Sequence, residues 1–227
     1  MVVGKCAGSG GSWSSTYDVP VLDLSTLENS YTVMRHAQSR PNVAGLIVCR
    51  APAGLDPANG LTELGRRQAR DSASSWAAHR AGDATPPVII SSDFSRTTET
   101  AEILREVTGA GPVRLDRRLR ERDFGGFDGG PASAYDQVWA RDAEDATAPG
   151  VEPTGAVRDR VLSMITDLER EHRGRAIVLV SHGDTSQITQ AAFAGLPVHT
   201  HRTLPPLGNA ELRALNVLDP MIDRTAG

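Results

Sequence analysis

The sequence predicts an α/β protein, a three-layer α/β/α sandwich around a mostly parallel central sheet. Short, nearly continuous aliphatic runs such as "AIVLVS" (Ala176–Ser181) read as strands buried on both faces. Longer stretches carry apolar residues at helical spacing. The two kinds alternate along the chain, as parallel strands joined by crossover helices require.

Residues 1–16 are rich in Gly and Ser, so residues 1–29 are expected to form a flexible extension before a single domain over 30–227. A phosphate loop there is disfavoured because Lys5 precedes the glycines instead of following them. "YDVPVLDLSTL" reads as an edge strand or a surface-packed segment. Tyr31–Arg35 reads as the first strand. Leu61–Arg80 reads as a helix with Thr62 as N-cap and Leu64, Ala69, Ala73, Trp76 and Ala77 near its apolar face. Pro87–Ser91 is a strand, Ser95–Val107 a helix and Val113–Asp116 a short strand. Residues 125–153 read as an irregular lid, with one helix near Tyr135–Asp142. Thr154–Glu171 is a helix, Ala176–Ser181 a strand, and Asp184 or Thr185 can cap a helix running to Ala194. Glu211–Val217 reads as the last strand.

The bulk numbers narrow the function. Hydrophobic residues make up 39% of the chain and aromatic residues 4%, so the core is mostly aliphatic. A net charge of -4 leaves no basic footprint for nucleic acid. No apolar run has the length to cross a bilayer. The N-terminus lacks the apolar centre of a secretory signal, so a cytoplasmic protein is expected. Two cysteines, Cys6 and Cys49, make no disulfide framework, and without a Cys-x-x-Cys pair a zinc site has no support. His79, His172, His199 and His201 read as surface or loop positions, and "HTH" (His199–His201) has no third metal ligand in view.

Ligands of open α/β sheets sit beyond the carboxyl ends of the strands. The first strand delivers Arg35 and His36 there. The "VIISS" strand leads to Arg96, and "IVLVS" delivers His182. Two guanidiniums present planar donor forks that match phosphate oxygens. Helix N-termini after Asp93 and Gly183 add backbone N–H groups. Of two imidazoles, one can attack phosphorus and the other can stay protonated and hold the equatorial oxygens.

"RHAQSRPN" (35–42) resembles the signature of the histidine phosphatase superfamily, the phosphoglycerate mutase-like family. "GLTELGRRQA", "SSDFSRTTETA", "LRERDFGGFDG" and "VSHGDT" resemble its later blocks in the same order, over roughly Tyr31 to Leu215. The resemblance implies a phosphoglycerate mutase-like fold, His36 as the phosphorylated nucleophile, and Arg35, Arg96 and His182 as the clamp. It further implies Asn42 and Gly183 near the phosphate, and Glu121 as the acid that protonates the leaving oxygen, with Asp123 a rival two residues away. Arg117, Arg118 and Arg120 remain candidates for holding an anionic substrate. The expected reaction is hydrolysis of a small phosphorylated metabolite through a phosphohistidine, with no metal or cofactor. Two alternatives stay open: a cofactor-dependent phosphoglycerate mutase, and a non-catalytic phosphate-binding protein. The family includes monomers and homo-oligomers. The third signature residue, usually Gly, is Ala37, and the family's usual "GES" stands here as Gly155, Ala156 and Val157. A lid shorter than that of the mutases favours the phosphatase.

Overall fold

Five strands form one sheet in the order β3-β2-β4-β1-β5. They are β1 (Ser30–Arg35), β2 (Val88–Ser91), β3 (Arg114–Leu115), β4 (Ala176–Ser181) and β5 (Leu212–Leu215). The computed structural model describes residues 22–80, 82 and 85–215. All neighbours pair in parallel except β5, which runs antiparallel to β1. The helices are α1 (Arg40–Ala44), α2 (Glu63–His79), α3 (Ser95–Thr108), α4 (Tyr135–Ala143), α5 (Thr154–Glu171) and α6 (Gly183–Phe193).

The central strand β4 shows why its sequence is apolar throughout. Ile177 and Leu179 pack with Val161, Met164, Ile165 and Leu168 of α5 on one face. Val178 and Val180 pack with Ala69 and Ala73 of α2 and with Ala101 and Leu104 of α3 on the other. Side chains alternate across a strand, so burial on both faces demands a continuous hydrophobic run. The three-layer reading therefore holds.

Local chemistry sets the ends of the elements. The Thr62 side chain accepts from the Gly65 N–H at 2.9 Å, the expected cap of α2. Gly65 itself is required by packing, because a Cβ there would lie 2.0 Å from the Gln38 carbonyl oxygen. Leu64, expected on the apolar face, is 44% exposed. Helix α1 lies outside the sequence expectation. Its signals are short but present: Ser39 and Asn42 form a reciprocal capping box and Pro41 occupies the first turn.

Two expectations about flexible parts change. Residues 1–21 lie outside the described residues, but 22–29 are packed. Asp23 caps a short turn at Leu24–Thr26, and Leu22, Leu24 and Leu27 rest on the sheet face covered by α5. Of the two readings of residues 17–27, the described part follows the surface-packed one and forms no strand. The expected lid is a folded cap, where Phe124, Ala134, Val138, Ala148 and Val151 enclose Ile47 and Cys49 in a separate hydrophobic cluster. At the far end, Asn216 and Val217 of the expected last strand lie outside the described residues. Ala37, in place of the signature glycine, is fully buried in the core and its N–H donates to Thr100 Oγ1 at 3.1 Å, so its methyl is accommodated.

Candidate active site

Strand register brings the two histidines together. Arg35 of β1 pairs with Ser181 of β4, so the next residue on each strand, His36 and His182, emerges at the same sheet edge. The His36 N–H donates to the Ser181 carbonyl at 2.9 Å, which continues the ladder one step further. The rings lie 5.3 Å apart, centroid to centroid, at 64°. Strand β2 ends beside them, and Arg96 enters from the first turn of α3.

Arg96 joins the pair. Its Nε donates to His36 Nε2 at 3.2 Å and its Nη2 to His182 Nδ1 at 2.9 Å, while Nη2 also donates to the Val48 carbonyl at 2.8 Å. These bonds fix both tautomers. His36 Nδ1 lies 2.8 Å from the Ala37 carbonyl, so Nδ1 carries the proton and Nε2 holds the lone pair. His182 is the mirror case: Nδ1 accepts from Arg96 and Nε2–H donates to Ser92 Oγ at 2.9 Å.

Electrostatics agree with neutral rings. Burial first, and then the Arg96 charge, hold both imidazoles well below the usual histidine value. His182 is neutral in this state, because burial and the neighbouring guanidiniums disfavour a further cation. Arg35 donates from Nη1 to the Leu207 carbonyl at 2.8 Å. Arg35 Nε and Arg96 Nη1 are buried with no acceptor among the described residues. Two buried guanidinium N–H groups without acceptors at one point suit an anion.

Glu121 lines the same cleft, which has a volume of about 250 Å³. Its position is set by its two neighbours in the chain. Arg120 makes a two-pronged pair with Asp93 at 2.7 and 2.6 Å, and Arg122 is buried against Asp142 and Asp184 at 2.6 and 3.2 Å. Glu121 Oε1 accepts from the backbone N–H groups of Arg122 and Thr185, at 2.9 and 3.2 Å, and lies 3.2 Å from the Thr185 hydroxyl, which donates to the Arg120 carbonyl at 2.9 Å. Oε2 has only a 3.5 Å contact with the Asp184 N–H. Burial first, then the Asp184 charge, raise the Glu121 carboxyl above the ordinary range. Asp123 instead pairs with Arg50 at 2.7 Å on a half-exposed surface and does not line the cleft.

The remaining expected residues divide. Gly183 opens α6 against Arg35, and a Cβ there would lie 3.6 Å from Arg35 Nε. Asn42 lines the cleft, and its Oδ1 accepts from the Ser39 N–H at 3.1 Å. Neither Asp184 nor Thr185 caps α6 through its side chain; Glu121, from a distant segment, receives the N–H groups of its first turn. Nor does Asp93 cap α3, since it is taken up by Arg120. Arg118 is bound to Asp116 and Asp167, and Arg117 faces Asp93 at 3.6 Å, so 117, 118 and 120 stay outside the cleft. Gln38 ties the turn to α2 through the Thr62 hydroxyl at 2.8 Å.

With this geometry in hand, comparison with known proteins decides the family. The family model described as the histidine phosphatase superfamily (branch 1) matches residues 31–220. The chain belongs to the histidine phosphatase superfamily. Among similar histidine phosphatases, the glucosyl-3-phosphoglycerate phosphatase of Mycobacterium tuberculosis is 34% identical over 199 residues, 81% of this chain and 83% of that protein. The Mycolicibacterium vanbaalenii protein of the same name is 32% identical over 192 residues, 78% of this chain and 80% of its own length. A probable phosphoglycerate mutase of Photorhabdus laumondii is 30% identical over 179 residues, covering 76% and 78% of the two chains. A solved structure of a mycobacterial glucosyl-3-phosphoglycerate phosphatase complexed with VO3 superposes with a TM-score of 0.69 at 29% identity, over 82% of this chain and 90% of that one.

Sequence reasoning missed the polar network behind the histidine phosphatase cleft. His201, read as a surface position, is fully buried, with Nε2 2.9 Å from Asp184 Oδ1. The same oxygen accepts from Trp139 Nε1 at 2.9 Å. Burial opposes ionisation of Asp184, but His201 and Arg122 outweigh it and hold the carboxyl below its usual value. No local pattern marks these residues, because they meet only through the cap, a turn after α6 and the start of α6. Among the described residues no group of His, Cys, Asp and Glu is placed to hold a metal ion. No helix among them is long and apolar enough to cross a membrane.

Proposed function

We propose that this histidine phosphatase hydrolyses the phosphate monoester of a small metabolite through a phosphohistidine on His36. One observation carries the reading: Arg96 bridges the lone-pair nitrogens of both imidazoles in a cleft that also holds Glu121. Arg96 Nε donates to the lone pair of His36 Nε2. A phosphoryl group draws the donors of Arg35 and Arg96 to its own oxygens and so releases Nε2 to attack. The P–N bond forms while the P–O bond to the leaving group breaks, and Glu121 Oε2–H gives its proton to that departing oxygen. Glu121, now a carboxylate, takes a proton from water. The hydroxide equivalent cleaves the P–N bond, releases phosphate and returns the lone pair to His36. The negative charge of the phosphoryl group favours a proton on His182 Nδ1, and His182 then completes the cradle around the phosphoryl oxygens with Asn42 and the Gly183 N–H. The guanidiniums supply the positive charge that a metal brings elsewhere. The small phosphate esters of the cytoplasm suit such a site.

The names of the relatives make glucosyl-3-phosphoglycerate the first ester to test. The similarity to a probable phosphoglycerate mutase supports a second reading, transfer within phosphoglycerate. A 32P-labelled ester mixed with enzyme and quenched in alkaline denaturant should leave label on the wild type and none on His36→Ala, with or without EDTA. An unlabelled wild type across glycerate and sugar phosphates would sink the proposal. Isomerisation of primed 3-phosphoglycerate faster than phosphate release would favour the mutase.

A further inference from the structure

The outer wall of the cleft holds a guanidinium that the reaction above does not use. Arg202 lies 3.7 Å above the centre of the Trp139 ring, and Trp139 stacks on Tyr135 at 5.1 Å with 8° between the planes. All three line the cleft that contains Arg35, His36 and Arg96. The stack is held at both ends. Asp184 fixes the edge of the indole through Nε1 at 2.9 Å, and Gln187 Oε1 accepts from Arg202 Nη1. Arg202 forms no ion pair among the described residues, whereas Arg117, Arg118, Arg120, Arg122 and Arg160 of the surrounding loops and α5 all do. It therefore keeps its charge and most of its donors for something outside the chain.

An arginine stacked on an aromatic ring is pre-organised. Less freedom is lost when it binds, and its planar fork matches a carboxylate. Burial is the main reason the Arg35 guanidinium lies below its usual value, and the Arg202 charge adds to the same effect, so the two cations share one space. Asp184, which bonds the Trp139 indole and lines the same cleft, is taken up by Arg122, His201 and Trp139.

We propose that Arg202, mounted on Trp139, is a specificity-determining residue that binds a second anionic group of the substrate, a carboxylate close to the transferred phosphate. The preferred substrates are then phosphorylated hydroxy acids of the glycerate type, free or glycosylated, over phosphates of neutral polyols and sugars. This rests on the phosphatase reading and names the substrate class of the same cleft.

The test compares two ligands that differ at one group, 3-phosphoglycerate and glycerol 3-phosphate. The wild type should show a kcat/KM at least tenfold higher for the carboxylate ester. In Arg202→Gln that ratio should collapse to within about twofold of unity, and Arg202→Lys should restore part of it. Trp139→Phe, which keeps a ring but loses the Asp184 bond, should give an intermediate ratio. Equal rates for the two esters in the wild type, or a ratio unchanged in Arg202→Gln, overturn the proposal. If neither ester turns over, the phosphatase reading is judged separately, by 32P labelling across the wider panel of esters. Calorimetric titration of the same two ligands then reads the preference without chemistry: tighter binding of 3-phosphoglycerate that is lost in Arg202→Gln upholds it, and equal affinities overturn it.

Discussion

At the scale of single residues, burial shifts the two proposed reacting groups in opposite directions, the imidazole down and the carboxyl up. As the proposed nucleophile, His36 would attack only when unprotonated, and burial and Arg96 hold its imidazole well below the usual histidine value. As the proposed acid, Glu121 would donate only when protonated, and burial together with Asp184 raises its carboxyl. Activity on alkyl phosphates should therefore rise from acid pH as His36 loses its proton. It should fall again as pH climbs through the elevated Glu121 value. Glu121→Gln should lower kcat on an alkyl phosphate by about 10² to 10⁴. It should also erase the alkaline limb of the pH profile. The loss should be far smaller with p-nitrophenyl phosphate, whose leaving group needs no proton. Equal losses on both substrates would show that Glu121 acts by position and not as an acid.

At the scale of elements, the cap matters as much as the strand ends. Arg122 is fully buried and links Asp142 of α4 to Asp184 at the start of α6, and its Nε donates to the Glu152 carbonyl at 2.6 Å. Removing one partner of a buried ionic group strands the others without compensation. Arg122→Met should cost about 3–5 kcal/mol of stability, read from the urea midpoint. The triple change Arg122→Met, Asp142→Leu, Asp184→Asn should recover part of that loss, because no buried carboxylate is then left unpaired. A single variant as stable as the wild type would mean that water reaches the network. The same network fixes Trp139 and the backbone next to Glu121, so damage there reaches the cleft.

At the scale of the whole molecule, one anion at the sheet edge should couple to global stability. It would bind the folded chain only, by satisfying donors contributed from β1 and α3 and from the start of α6. Inorganic phosphate at a hundred times its Kd stabilises by about 2.7 kcal/mol. For a chain of this size that is a rise in Tm of about 5–11 °C. Thermal scans with and without phosphate should show this rise in the wild type and lose it in Arg96→Ala. An unchanged shift in that variant would remove Arg96 from the anion site.

Much of this arrangement was legible along the chain. The two-sided burial of β4, the N-cap of α2 and the arrival of Arg35, His36, Arg96 and His182 at one sheet edge follow from local pattern and from the placing of ligands beyond the carboxyl ends of parallel strands. Glu121 was assigned by resemblance alone, and the contrast with Asp123 rests on which carboxylate lines the cleft. Local patterning determined strands, helices and the family's motif order, because periodicity and capping act over a few residues. Tertiary structure alone decided the tautomers, the neutral His182, the folded cap, and the buried union of Arg122, Asp142, Asp184 and His201. Those properties come from desolvation and from polar partners brought together across gaps of 17 to 90 residues, over which no sequence period carries information.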